Sequence, residues 1–148
     1  MKNILLGIDF HEKTPHLIEE AVKLVKPLGA KLWLLHVAEP NPDFVGFEVG
    51  PQVVRDHRAQ ELRTEHRMLD DYANLIKEQG VDSEGLLIPG PTIETILDEV
   101  KRLNIDLVIT GHHRHSLLSE ALFGTHSSKL IDASPVPVLV IPCIKEED

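Results

Sequence analysis

Five short apolar runs recur along the chain, and their length and order constrain its fold more than any other feature. They are Ile4-Leu5-Leu6-Gly7-Ile8, Lys31 to Val37, Leu86-Leu87-Ile88, Asp106-Leu107-Val108-Ile109-Thr110 and Val136 to Ile141. Continuous apolar runs without alternation are what a strand needs when both sheet faces are covered. Four of the runs are followed by helical patterns. The expectation is therefore an α/β fold, a doubly wound parallel sheet with helices on both faces.

The helical patterns carry their own punctuation. Thr14-Pro15 predicts an N-cap with proline at the first helical position. Leu17, Ala21, Leu24, Val25 and Leu28 follow at helical spacing, and Gly29 ends that helix. Glu39 to Gly50 holds Pro40, Pro42, Gly46 and Gly50 and predicts a loop carrying Phe44, Val45 and Phe47. A long helix is expected from about Gln52 to Gln79, charged in its first half, with Leu62, Leu69, Tyr72, Ala73 and Ile76 on one face of its second. Gly90-Pro91-Thr92 opens the next helix, with Ile93, Ile96, Leu97, Val100 and Leu103 as its buried stripe. Gly7 and Gly90 read as packing and turn residues.

A doubly wound sheet binds its ligand beyond the C-terminal strand ends, where strand order reverses. Asp9 follows the first run directly, and Gly111 closes the fourth. If those two strands are neighbours, both residues face one crevice. After Gly111 comes a polar, histidine-rich loop and then Gly124-Thr125-His126-Ser127-Ser128, where a helix starts. Glycines permit close backbone approach, and hydroxyls and N–H groups at a helix start hold anions.

The net charge of −9 supplies no basic footprint for nucleic acid or an anionic membrane surface. A local site for a small anion is untouched by that balance. Cys143 is the sole cysteine, so no internal disulfide forms. No apolar stretch approaches the ~20 residues of a membrane span, and the start at Met1 has no signal-peptide layout. A single domain over residues 1–148 in the cytoplasm is expected.

In this order and spacing, the sequence resembles the universal stress protein A family. The likeness runs from Ile4-Leu5-Leu6-Gly7-Ile8-Asp9 through Leu35-His36-Val37 to Pro137-Val138-Leu139-Val140-Ile141-Pro142. The family's ATP-binding branch carries G-x2-G-x9-G-[ST] after the fourth strand. Gly111 matches its first glycine and Gly124-Thr125 its end, while Arg114 stands where the second glycine belongs.

The resemblance implies a sheet of order 3-2-1-4-5, the adenine nucleotide alpha hydrolase-like fold, holding AMP or ATP, with or without Mg²⁺, in the crevice. It implies that Ile8 and Asp9 meet the ribose or adenosine side and that the Val37 backbone pairs with the adenine edge. Thr110, Gly111 and His113 would line the ribose and phosphate path. Gly124, Thr125, His126 and Ser127 would hold phosphates. It also implies a homodimer through the last strand, Val136 to Ile141.

Arg114 leaves two outcomes open. Its guanidinium either clamps phosphates or blocks them, and in the second case the chain is a nucleotide-free interaction module. The run His112-His113-Arg114-His115 reads as pocket lining or solvated surface rather than a metal site, because adjacent loop histidines ligate one ion poorly. No nucleophile elbow, Walker A sequence or acid/base carboxylate pair is present. The expected role is ligand binding, with slow ATP hydrolysis as an alternative.

Overall fold

Ile4, Leu5 and Leu6 are all fully buried, which consecutive strand residues achieve only when helices cover both faces. The computed structural model describes residues 1–38, 52–113 and 125–143. These form one five-stranded parallel sheet in the order β3-β2-β1-β4-β5. The strands are β1 (Asn3–Gly7), β2 (Lys31–Ala38), β3 (Ser83–Pro89), β4 (Leu107–His113) and β5 (Val138–Cys143). The helices are α1 (Thr14–Val25), α2 (Gln52–Glu78), α3 (Thr92–Arg102) and α4 (Thr125–Ala133). The segment with Phe44, Val45 and Phe47 lies outside the described residues, as do Arg114, His115 and Gly124.

Alternation along the strands sorts the core into two halves. Ile4, Leu6 and Ile8 pack with Leu17, Ala21 and Val25 of α1 and with Leu69, Ala73 and Ile76 of α2. On the other face Leu5, Leu35 and Val108 pack with Ile96 and Val100 of α3 and Leu130 of α4. Full burial of each such side chain contributes about 1.5–3 kcal/mol. The long helix lies directly on β3, because Gly85 has no side chain. A Cβ there would stand 3.0 Å from Leu69 Cβ and 3.2 Å from the Leu69 carbonyl.

Several boundaries and faces depart from the sequence reading. The buried stripe of α1 is Leu17, Ile18, Ala21, Val22 and Val25, while Leu24 and Leu28 are exposed. At about 100° per residue, Leu24 falls a quarter-turn from the centre of that stripe. Leu28 lies in the 3-10 turn Lys26–Leu28, where the helical period no longer applies. Gly29 ends the turn at φ 63°, as its position predicts. Thr14 is the first helical residue and not the cap, which is Lys13. β4 does not end at Gly111 but continues through it, pairing Gly111 with Ile141 and His113 with Cys143. β5 correspondingly begins at Val138 rather than Val136. Pro137 thus precedes the strand, and its carbonyl accepts the Val108 N–H at 3.0 Å.

The N-terminal strand ends are closed by a carboxylate. Asp106 Oδ2 accepts the N–H groups of Lys2 at 2.7 Å and Asn3 at 3.0 Å. These two backbone donors hold the Asp106 carboxyl below its ordinary range. A carboxylate with a depressed folded-state pKa stabilises fully above its unfolded value, and that stability is lost as pH falls through the folded value. Asp106→Ala is expected to lower the unfolding temperature at pH 7. It should also flatten the fall in unfolding temperature below about pH 4, which thermal melts across pH would show.

Candidate functional site

Strand order reverses between β1 and β4, since β1 is followed in sequence by its neighbour on one side and β4 lies on the other. A crevice opens there beyond the C-terminal strand ends, on the α3–α4 face. Leu35, Val37, Ile93, Ile96 and Leu130 make an apolar wall, and Asp9, Thr92 and Thr110 set polar groups around it.

Of the residues singled out from sequence, the fold brings Ile8, Asp9, Val37, Thr110 and Gly111 to this crevice. The β1–α1 turn carries the first two. Ile8 continues the ladder through its N–H to Leu35 O at 2.8 Å. Asp9 is then released to the exposed rim. Its carbonyl accepts the Thr14 hydroxyl at 2.5 Å, and the same oxygen of Thr14 accepts the His11 N–H at 3.0 Å. Thr14 is fully buried, so this hydroxyl sets the turn from inside. Thr14→Val keeps the shape and removes both of these hydrogen bonds. It is expected to cost about 1–3 kcal/mol in denaturant unfolding.

Val37 reaches the crevice because β2 outruns β1. Pairing between them stops at Gly7 with Leu35, whereas β2 continues to Ala38. Among the described residues, no strand pairs with the β1-facing edge of β2 beyond Leu35. Thr110 comes from β4 on the crevice face. Gly111 borders the crevice and also has a packing role on the other face. A Cβ on it would meet Leu17 Cδ2 at 3.1 Å and Cys143 Sγ at 3.2 Å. Its missing side chain therefore makes room for α1 and β5 on the opposite face, while its backbone borders the crevice. Burial pushes the Cys143 thiol pKa up, which suits a packing role.

The backbone of His113 is the last residue of β4, and Thr125, His126 and Ser127 begin α4. Their side chains lie outside the described residues, as do Arg114 and Gly124 entirely. Six wall residues were not singled out from sequence as site residues: Leu17, Leu35, Thr92, Ile93, Ile96 and Leu130. Thr92 and Ile93 had one available clue, since they follow Gly90-Pro91 at the C-terminal end of a strand. Gly90 itself is a turn residue, at φ 149° with its N–H on Ala38 O at 3.1 Å.

Gly7 is the main reassignment. It borders the crevice, and a Cβ built on it would meet nothing within 4 Å. It is a gap in the wall rather than a packing residue.

The model of the universal stress protein family matches residues 1–142. The chain belongs to that family. A universal stress protein of Helicobacter pylori is 30% identical over 139 residues, covering 93% of this chain and 98% of its own. Among solved structures, a universal stress protein from Lactobacillus plantarum superposes with a TM-score of 0.75 at 20% identity, covering 95% of this chain and 97% of its own. A family protein from Arabidopsis thaliana, solved with AMP bound, gives a TM-score of 0.68 at 21% identity over 96% of this chain and 92% of its own. These likenesses match the 3-2-1-4-5 sheet found here. Among the described residues of this universal stress protein, no helix is long and apolar enough to cross a membrane.

Proposed function

We propose that this universal stress protein binds an adenine nucleotide in the crevice at the C-terminal ends of β1 and β4. The nucleotide acts as a ligand or switch in a stress response, not as a substrate. The observation that carries the reading is the convergence of Asp9, Val37 and Thr110 on one crevice. The apolar wall suits a flat base, and the β2 edge at Val37 offers backbone groups to its rim. Asp9 accepts hydrogen bonds from ribose hydroxyls. Thr110, Gly111 and His113 follow the ribose and phosphate path, and Gly124, Thr125, His126 and Ser127 take the phosphates at the start of α4. Arg114 either clamps those phosphates or limits their number. The AMP in the Arabidopsis relative supports the ligand class.

The same reading includes a cytoplasmic homodimer. β5 is an edge strand, and edge strands pair readily with a second copy. Titration calorimetry of the dialysed protein with AMP and ATP, each with and without Mg²⁺, tests the proposal. Micromolar binding of either nucleotide is expected. No heat from either, with the protein folded and free of nucleotide beforehand, overturns it. Arg114→Gly should weaken ATP binding if the arginine clamps and strengthen it if the arginine blocks.

A further inference from the structure

On the sheet face opposite the crevice, three elements meet at one imidazole. His36 of β2 has its Nδ1 2.7 Å from the carbonyl oxygen of Ile8. Its Nε2 lies 3.4 Å from Glu65 Oε2 on α2. The Phe10 ring packs against it, centroid to centroid at 4.6 Å. A carbonyl oxygen only accepts, so Nδ1 carries a proton. Glu65 Oε2 is buried and has no hydrogen-bond donor among the described residues. A neutral ring with its proton on Nδ1 turns a lone pair toward that oxygen, whereas an imidazolium turns an N–H toward it.

We propose that His36 is a positioning residue for the crevice, and that Glu65 couples its protonation to the Ile8–Asp9 rim. The proposal rests on the ligand reading above. The Ile8–Asp9 peptide is the shared link. His36 holds its carbonyl, and because the peptide is trans its N–H points away from the ring. Both residues border the crevice, and His36 directly precedes Val37 on the same wall. With two protons the ring is clamped between Ile8 O and Glu65, and the rim is fixed. With one, a lone pair and a carboxylate oxygen face each other, and the ring and the peptide it holds turn more freely. The doubly protonated ring therefore makes the tighter rim.

Among the described residues, the charged groups near His36 include those of α2 and the β1–α1 turn. Beside Phe10 and Glu65 lie His57 and Glu61 of α2. Glu61 is engaged by His57 at 2.8 Å and by Arg58 at 3.0 Å. Asp9 is on the exposed rim of the β1–α1 turn. From β3 the residue paired with His36 is the uncharged Leu87.

The probe is adenosine, which has no phosphate to titrate. Calorimetry on the full chain should find adenosine binding about threefold tighter at pH 6 than at pH 8. Glu65→Gln places a carboxamide N–H against the neutral ring, and His36→Asn keeps a donor for Ile8 O without the second proton. Both should bind adenosine with a flat pH profile. In long-range ¹H–¹⁵N spectra of the ligand-free protein, the Ile8, Asp9 and Phe10 amides should titrate together with the His36 ring and lose that titration in His36→Asn. Equal pH dependence in all three proteins, or rim amides that do not follow His36, overturns the proposal. Absence of adenosine binding at every pH overturns the ligand reading alone, and the amide titration then decides the coupling.

Discussion

At the proposed nucleotide site, Gly7→Leu is expected to lower AMP affinity about 100-fold or more, some ~2.7 kcal/mol, while the unfolding transition stays close to that of the parent. The two halves of this expectation have separate causes. Gly7 ends β1 and borders the crevice. It has no positive φ, so a side chain brings no backbone strain. A Cβ there meets no atom within 4 Å, so a side chain does not press on the core. Everything beyond Cβ grows into the space where the ligand is proposed to sit. Replacing glycine inside a strand also removes its entropic cost to folding, which offsets small losses. Calorimetric titration beside a thermal melt checks both halves. Retained AMP binding in a folded Gly7→Leu protein would move the ligand elsewhere. Lost folding would make the crevice part of the core.

Gly85→Val has the opposite signature. It should destabilise the protein by about 3 kcal/mol, from overpacking, and lower the unfolding midpoint by roughly 6–12 °C for a chain of this size. The Cβ alone would approach Leu69 Cβ to 3.0 Å and its carbonyl carbon and oxygen to 3.2 Å. Two of those three atoms belong to helix backbone, which cannot swing aside as a side chain can. Relief requires α2 to lift from β3, and that opens the contacts of Leu69, Ala73 and Ile76, all buried. Urea unfolding of Gly85→Val with Gly85→Ala as the milder member of the series checks the magnitude. Gly85→Val stability within 1 kcal/mol of the parent would mean that the helix rides more loosely on the sheet than this contact requires.

Gly7, Gly85 and Gly111 illustrate how far a glycine can be read from sequence. All three sit in strands, and their surroundings differ completely: open crevice, helix backbone, and the Leu17–Cys143 contact. The residue type is the same, and only the element packed opposite decides what its missing side chain makes room for. Gly29 was legible because its requirement is local, a left-handed turn at a helix end. The site divides the same way. Asp9 and Thr110 could be anticipated, since strand ends at a reversal of order form a crevice in this architecture. Thr92 and Ile93 had only the Gly90-Pro91 turn before them as a clue, because their presence depends on how α3 docks.

The link from His36 to Glu65 was equally invisible. The two residues are far apart in sequence, on a strand and a helix joined through a long connection, and neither carries a motif that names the other. The exposed Leu24 and the extension of β4 to His113 are further cases. One depends on where the neighbouring sheet lies around the helix, and the other on which partner strand keeps offering hydrogen bonds.

What the sequence determined by itself is the set of elements and their class. Strand runs, helical periods, proline entries and glycine exits each act within a few residues, and hydrophobic patterning records which elements must be covered on two faces and which on one. With the resemblance it carried, it also pointed to the crevice and several of its residues. Only the tertiary structure decided which face each glycine opens, which helix walls the crevice, where strands stop, and that His36 stands between Ile8 and Glu65. Those outcomes come from close packing between segments distant in the chain, where shifts of a few tenths of an ångström decide what fits.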